Sequence, residues 1–421
     1  MDKFIIRGGN KLQGRVKVSG AKNSALALMP ATLLTNGSNL LENIPEVNDI
    51  YTMSKLLTHL GATISFQNYS LKIDTSNVNK TTAPYEHVKK MRASVYVLGP
   101  LLARYGRAKV SLPGGCAWGP RPINLHLDAM KKLGAEIELS EGYIFAKAKK
   151  LVGTKIHFEK SSVGATGNTL MACVLAKGTT LLTNAAIEPE INLLCDYLNM
   201  MGARIEGIGT NTLTIEGVDE LKPADAVNIQ DRIEAGTLLI AAAITKGNVE
   251  LEYNFPNQLN AVVWKLEDAG LNIIRNNNLI KLNASDFHPK NINVSTAVFP
   301  GFPTDMQAQW TAFMTQANGE SMVTDNIYFD RFKHVPELNR LGADIRIINN
   351  SALIRGGKKL MGAKVMSTDL RASASLVLAG LAAEGETEVL RIYHLDRGYQ
   401  RIEDKLTSLG ADIKRISTAE Y

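Results

Sequence analysis

Two kinds of apolar stretch alternate along this chain. One is small and apolar nearly all round, as in Ala372-Ser373-Ala374-Ser375-Leu376-Val377-Leu378-Ala379. A helix with no strong polar face is buried on all sides. The other is amphipathic and carries Lys, Asp and Glu on one face, as in Leu125 to Leu133. Such a helix lies outside, its apolar stripe turned inward. Short alternating runs, such as Thr387-Glu388-Val389-Leu390-Arg391-Ile392, follow the first kind and read as strands.

The order recurs six times. An apolar–Gly–small pattern closes the amphipathic helices at Gly61, Gly134, Gly202, Gly270, Gly342 and Gly410. A second glycine stops the apolar helices at Gly37, Gly106, Gly178, Gly247, Gly319 and Gly385. Each unit is about 70 residues and reads helix–strand–helix–strand, with an extra strand expected. Buried helices surrounded by sheet and outer helices predict two α/β domains of three units each. Neither end carries a distinct charged capping unit, which favours closed domains over an open solenoid.

The repeats show which positions depart from scaffold duty. About 14 residues before each stop, where the buried helix begins, stand Lys22, Arg92, Gly164, Arg232, Asp305 and Arg371. The helix dipole disfavours a cation at that end by about 0.3–1 kcal/mol. Four cations there imply an anion held jointly by N–H groups and side chains. The plainer alternative pairs each with a nearby carboxylate, such as Asp231 or Asp369. Arg121 and Arg397 share one place in units two and six, so two domains are expected to present arginines to one cleft. Asp305 is ambiguous. Pro303-Thr304-Asp305-Met306-Gln307 resembles a capping box, with Thr304 as cap. A first-turn acid of that kind is worth only a fraction of a kcal/mol, about 0.3–1.

Composition narrows the class of function. The 421 residues are 45% apolar and 21% charged, with net charge +6. The positive excess is spread along the chain, unlike the clustered cations of a nucleic-acid binder. It suits small anionic substrates, and equally a mildly basic surface. Three cysteines, Cys116, Cys173 and Cys195, match no zinc spacing and make a disulfide framework improbable. The stretch from Met1 to Gly9 lacks the apolar run of a signal peptide, and no apolar run is long enough to span a bilayer. A cytoplasmic protein without metal or cofactor is expected. Cys173 and Cys195 sit in apolar helical runs and read as core residues. Cys116 differs. It lies in Leu112-Pro113-Gly114-Gly115-Cys116-Ala117-Trp118-Gly119-Pro120-Arg121-Pro122, a Gly- and Pro-rich link expected to move. A neighbouring arginine there would raise its thiolate fraction. A tight turn with an incidental cysteine is the alternative.

These residues resemble the UDP-N-acetylglucosamine 1-carboxyvinyltransferases, an enolpyruvyl transferase family. The motifs are Gly20-Ala21-Lys22-Asn23, Met91-Arg92-Ala93-Ser94, Pro113-Gly114-Gly115-Cys116, Ser162-Val163-Gly164-Ala165-Thr166, Phe302-Pro303-Thr304-Asp305-Met306-Gln307, Thr368-Asp369-Leu370-Arg371-Ala372-Ser373 and Asp396-Arg397-Gly398-Tyr399. The resemblance runs from the first residues to about Ile413. It implies two inside-out α/β barrel domains, residues 22–229 and residues 1–21 with 230–421, and an active site in the cleft between them. It implies transfer of the enolpyruvyl group from phosphoenolpyruvate to the sugar 3-hydroxyl of UDP-N-acetylglucosamine. Lys22, Asn23, Arg121 and Arg397 would hold phosphoenolpyruvate. Arg92, Arg121, Pro122, Ile123, Asn124, Leu125, Lys160, Ser161, Ser162, Val163, Asp305 and Ile327 would bind the UDP-sugar. Cys116 would donate a proton to the methylene carbon and form a phospholactoyl adduct. It is also the thiol that would open the epoxide fosfomycin. Asp305 would take the hydroxyl proton. Lys22 and Arg397 complete the catalytic set, and Asp369, Arg371 and Asp231 would support it. Trp118, Pro120 and Asn124 stand where the family usually has a smaller aliphatic residue, Ala and Asp. The competing readings are a 5-enolpyruvylshikimate-3-phosphate synthase, which lacks the Cys-bearing loop, a non-catalytic UDP-sugar-binding paralogue, and an RNA-phosphate cyclase.

Overall fold

The computed structural model describes residues 2–89, 91–112, 123–285 and 287–417. The chain divides into two units, Met1–Ser19 with Gln230–Tyr421, and Gly20–Ile229. Within the described residues each repeat contributes one buried helix, one outer helix and one four-stranded sheet.

The buried helices are as apolar as their sequences require. In Arg232–Ile244 every residue from Ile233 onward is buried, and in Leu370–Ala382 every residue from Arg371 to Leu381. Each fully buried Leu or Val contributes about 1.5–3 kcal/mol. Small side chains let these helices approach closely. A Cβ on Gly99 would meet the carbonyl oxygen of Asn168 at 2.3 Å, where the helices Leu98–Tyr105 and Val163–Cys173 pack. The outer helices, such as Asn48–Leu60, bury only one apolar stripe, here Ile50, Met53, Leu56, Leu57 and Leu60 with Asp49 beside it.

The repeat glycines are explained by backbone geometry. Gly61, Gly134, Gly202, Gly270, Gly342 and Gly410 all have φ between 92° and 114°. Each ends its outer helix in the left-handed region, where a Cβ is disfavoured. In the second set Gly247 departs. Lys246 takes the positive φ there, and a Cβ on Gly247 would meet the oxygen of Leu12 at 2.2 Å.

In the first five repeats the strand after the buried helix pairs antiparallel with the second strand of a following hairpin. The expected extra strand is a short one on its other side, pairing parallel, as Thr82–Ala83 does with Arg107–Ser111. Closure is achieved by strand exchange. Ala226–Val227 supplies the parallel edge for Ser38–Glu42, and Gln13–Lys17 supplies it for Asn248–Glu252. Asp2–Arg7 lies between Glu386–Leu390 and Asp412–Ser417 and completes the last sheet. Each unit's first and last repeats are thereby joined, which leaves no open solenoid edge.

Candidate functional site

All six marked positions fall within the first two residues of a helix or 3₁₀ turn: Lys22, Arg92, Gly164, Arg232, Asp305 and Arg371. In the unit Gly20–Ile229, Lys22 opens the helix Lys22–Ala31 with Asn23 beside it. Lys22 Nζ lies 3.3 Å from a carboxylate oxygen of Asp49, whose side chain is 5% exposed. The partner is therefore on the outer helix, 27 residues away. Ser162 caps Val163–Cys173 by accepting from Ala165 N–H at 3.3 Å. Asn168 ties three elements together. It accepts from Gly99 N–H at 2.7 Å, donates to Val95 carbonyl at 3.0 Å and meets His126 Nδ1 at 3.0 Å. His126 is buried on the helix Asn124–Lys132, and burial, then the Arg92 charge, push its pKa down to about 4. A Cβ on Gly164 would come within 3.2 Å of its ring. Arg92, the Ile123–Leu125 run and the Ser162–Val163 helix start thus meet at one corner, where the imidazole is neutral. Such a corner suits an anion at a helix N-terminus. Lys160 and Ser161 lie just before it, with Lys160 exposed.

In the other unit the geometry centres on Asp305. Its Oδ1 is 2.8 Å from Arg331 Nη1 and its Oδ2 is 2.7 Å from Arg371 Nη2. The two arginine side chains are 8% and 4% exposed. Burial works against the Arg371 charge, but Asp305, Tyr399 and Asp231 outweigh it and raise its pKa. Its guanidinium stacks on the Tyr399 ring at 5.4 Å. The Tyr399 hydroxyl meets Thr237 Oγ1 at 2.8 Å, and Gln309 donates to it at 3.2 Å and to the Asp305 carbonyl at 2.9 Å. Arg397 is half-buried at the end of the 3₁₀ segment Ile392–Arg397.

One local expectation is corrected. The Thr304–Gln307 capping box does not form. Pro303 precedes the 3₁₀ turn without a side-chain cap, and neither side-chain atom of Gln307 has a partner among the described residues. Thr304 instead donates to buried Asp325 at 2.7 Å and accepts from Arg331 at 3.0 Å. Asp305 is accordingly more than a first-turn acid, because it neutralises two largely buried guanidiniums. Asp231 and Asp369, considered above as partners for the cations, cap the helices that follow them, and the Asp231 charge also acts on Arg371. Each accepts two backbone N–H bonds at 2.8–3.2 Å.

The Cys116 loop, with Arg121 and Pro122, lies outside the described residues. Asp49, His126, Asn168, Asp325, Arg331 and Gln309 were not singled out from the sequence, and Tyr399 was quoted without a role. Asn168 and Gln309 stand at one offset, ten residues before Gly178 and Gly319, and Arg331 and Tyr399 at another, eleven before Gly342 and Gly410; those repeats were the signal that could have found them. Among the described residues no group of three or more His, Cys, Asp or Glu is placed to hold a metal ion, and no helix is long and apolar enough to cross a membrane.

The comparisons with known proteins agree with one another. Residues 6–406 match the family model described as EPSP synthase (3-phosphoshikimate 1-carboxyvinyltransferase). The UDP-N-acetylglucosamine 1-carboxyvinyltransferase of Chloroherpeton thalassium is 59% identical, over 100% of this chain and 99% of its own length. That of Chlorobium limicola is 58% identical over 100% of both. Among solved structures, the enolpyruvyl transferase NikO of Streptomyces tendae superposes with TM-score 0.90 at 24% identity, over 99% of both chains. EPSP synthase of Acinetobacter baumannii gives 0.77 at 18%, over 99% of this chain and 100% of its own. At those identities the structural likenesses establish the fold alone: two units of repeated α/β modules. The sequence matches span nearly the whole chain and go further than the fold, and by them this chain belongs to the enolpyruvyl transferase family.

Proposed function

We propose that this chain transfers the enolpyruvyl (1-carboxyvinyl) group of phosphoenolpyruvate to the 3-hydroxyl of UDP-N-acetylglucosamine and releases phosphate. This is the first committed step of peptidoglycan synthesis. The observation that carries the reading is the 59% and 58% identity, across the whole chain, to enzymes of that name.

The chemistry needs an acid, a base and a cationic cradle. A proton adds to the methylene carbon of phosphoenolpyruvate, and the adjacent carbon becomes oxocarbenium-like. The sugar hydroxyl oxygen bonds to that carbon and gives up its proton. The bond to phosphate then breaks, and a methyl proton leaves to restore the double bond. Cys116 is the acid and Asp305 the base. Lys22, Asn23, Arg121 and Arg397 hold phosphoenolpyruvate. Arg92, Arg121 to Leu125, Lys160 to Val163, Asp305 and Ile327 receive the UDP-sugar. Asp369, Arg371 and Asp231 support the set. The two guanidiniums on the Asp305 carboxylate and the helix start beside Arg92 both support these roles. We place the protein in the cytoplasm, where its nucleotide-sugar substrate is made available to it.

The acceptor decides between this reading and its nearest competitor. With phosphoenolpyruvate present, UDP-N-acetylglucosamine should support phosphate release and shikimate 3-phosphate should not. Turnover with shikimate 3-phosphate alone would transfer the chain to the EPSP synthase branch. The thiol gives a second test. Fosfomycin should add once, at Cys116, by intact mass and peptide mapping. Cys173 and Cys195 are fully buried, and burial pushes both thiols up to about 12, so their thiolate fraction at neutral pH is negligible. Labelling at either buried cysteine first would remove Cys116 from the acid role.

A further inference from the structure

Asp305 is the proposed base, yet both its oxygens are already engaged, Oδ1 by Arg331 and Oδ2 by Arg371. Two guanidiniums on one carboxylate stabilise its charged form and oppose its protonation. The arginines are held differently. Arg371 rises from the second position of a buried helix and stacks on Tyr399. Arg331 follows a turn built on Asp325. That carboxylate is fully buried, and its Oδ1 accepts from the N–H groups of Ile327 and Tyr328 at 2.9 Å and from the Thr296 hydroxyl at 2.8 Å. Its Oδ2 accepts from Thr304, and the Thr304 oxygen in turn accepts from Arg331. The turn that presents Ile327 therefore also sets where Arg331 sits.

We propose that Arg331 is a positioning residue for Asp305, holding its carboxylate ionised and in place through the Asp325–Thr304 turn that presents Ile327. The inference rests on the reading of Asp305 as the base. The other groups around the clamp are His334, Tyr399, Asp231, Asp369, Asp325 and Gln309. His334, beside Arg331, is buried and pushed down to about 3, first by burial and then by Arg331, so it stays neutral across an assay range. Burial raises the Tyr399 hydroxyl, which stays protonated. Asp231 and Asp369 each spend an oxygen on two backbone N–H groups at their helix starts, Asp325 is tied to its turn, and Gln309 carries no charge.

The test compares Arg331→Gln and Arg331→Lys with the unaltered enzyme. In Arg331→Gln the acidic limb of kcat/KM against pH should move up by about one unit, since one of two cations beside the carboxylate is gone. Arg331→Lys keeps a charge without the planar fork and should move it by less. The Asp305 carboxyl, followed by carbon-13 NMR of aspartate-labelled protein and assigned with Asp305→Asn, should shift upward in parallel. An unmoved Asp305 titration in Arg331→Gln overturns the proposal, as does a slower enzyme with neither profile shifted. A carboxyl titration that moves under an unmoved rate limb supports the clamp and takes the base role from Asp305. Should Arg331→Gln fail to fold, the lysine variant carries the test: a smaller upward shift supports the clamp, and none overturns it.

Discussion

Turnover should fall by about 100- to 10,000-fold when Asp305 becomes Asn, the range a positioned general base contributes. Asn keeps the shape and one acceptor oxygen but cannot take the hydroxyl proton. The structure also changes what this substitution does to stability. The side chains of Arg331 and Arg371 are 8% and 4% exposed, and each loses its counter-charge. Breaking one partner out of a buried pair costs about 3–5 kcal/mol. The Asp305 side chain is 26% exposed, so solvent screens part of the loss and the expected value lies below that range. Asp231, which already acts on Arg371, keeps the pocket from being purely cationic. The measurement is kcat with saturating substrates alongside a thermal melt. A melt lowered by several degrees with an intact transition, and the loss of kcat above, is the expected pair. Asp305→Glu keeps the charge and moves it by one methylene, so it should restore the melt far better than the rate. Near-normal kcat in a folded Asp305→Asn would return the carboxylate to a purely structural role.

The contrast between what the sequence shows and what it hides follows the range of each interaction. The repeat was legible because its signals are local. A left-handed glycine after an outer helix needs only its own backbone, and the beat it sets at Gly61, Gly134 and their equivalents is kept by the glycines that stop the buried helices, from which Lys22, Arg92, Arg232 and Arg371 are counted. The burial of Arg232–Ile244 and Leu370–Ala382 follows from side chains that are small or apolar all round. The partners of those cations are not local. Lys22 reaches Asp49 and Arg371 reaches Asp305, 27 and 66 residues away; the repeat marks Asp305 as a position but not as the partner of Arg371, and nothing in the spacing marks Asp49. The capping box at Thr304 failed for the same reason. A hydroxyl that could have capped its own turn found a fully buried carboxylate, Asp325, and a guanidinium instead. A charge-assisted bond is about twice as strong as the neutral cap it replaces. His126 and Asn168 read as an ordinary helix residue each until the helices Asn124–Lys132 and Val163–Cys173 pack and bring them to 3.0 Å.

Lys405→Met should destabilise the protein by about 3 kcal/mol near neutral pH, and by less in acid. Lys405 Nζ lies 2.5 Å from Glu234 Oε1 and 2.6 Å from Ser19 Oγ, and Ser19 N–H donates to Glu234 Oε2 at 2.6 Å. Ser19 is the last residue of its unit before the chain passes on to Gly20. The Glu234 side chain is 2% exposed. Burial raises its pKa above the ordinary 4.5, outweighing the pull of Lys405 in the opposite direction. The folded state therefore holds a proton on Glu234 at a pH where the unfolded chain has released it. Stability from this group is present below the ordinary glutamate range and declines as pH rises through the folded value. Removing Lys405 removes the attraction that limits the rise, so the window of decline extends upward. The gap in melting temperature between Lys405→Met and the unaltered protein should accordingly be wider at about pH 8 than at about pH 5. Adding Glu234→Gln to Lys405→Met replaces the carboxylate by a neutral amide that can still accept from Ser19, and should narrow the gap at the higher pH while leaving it nearly unchanged at the lower. An equal gap at both pH values in the single variant would show that Glu234 does not titrate there, and that Lys405 acts through packing of its methylene stem alone.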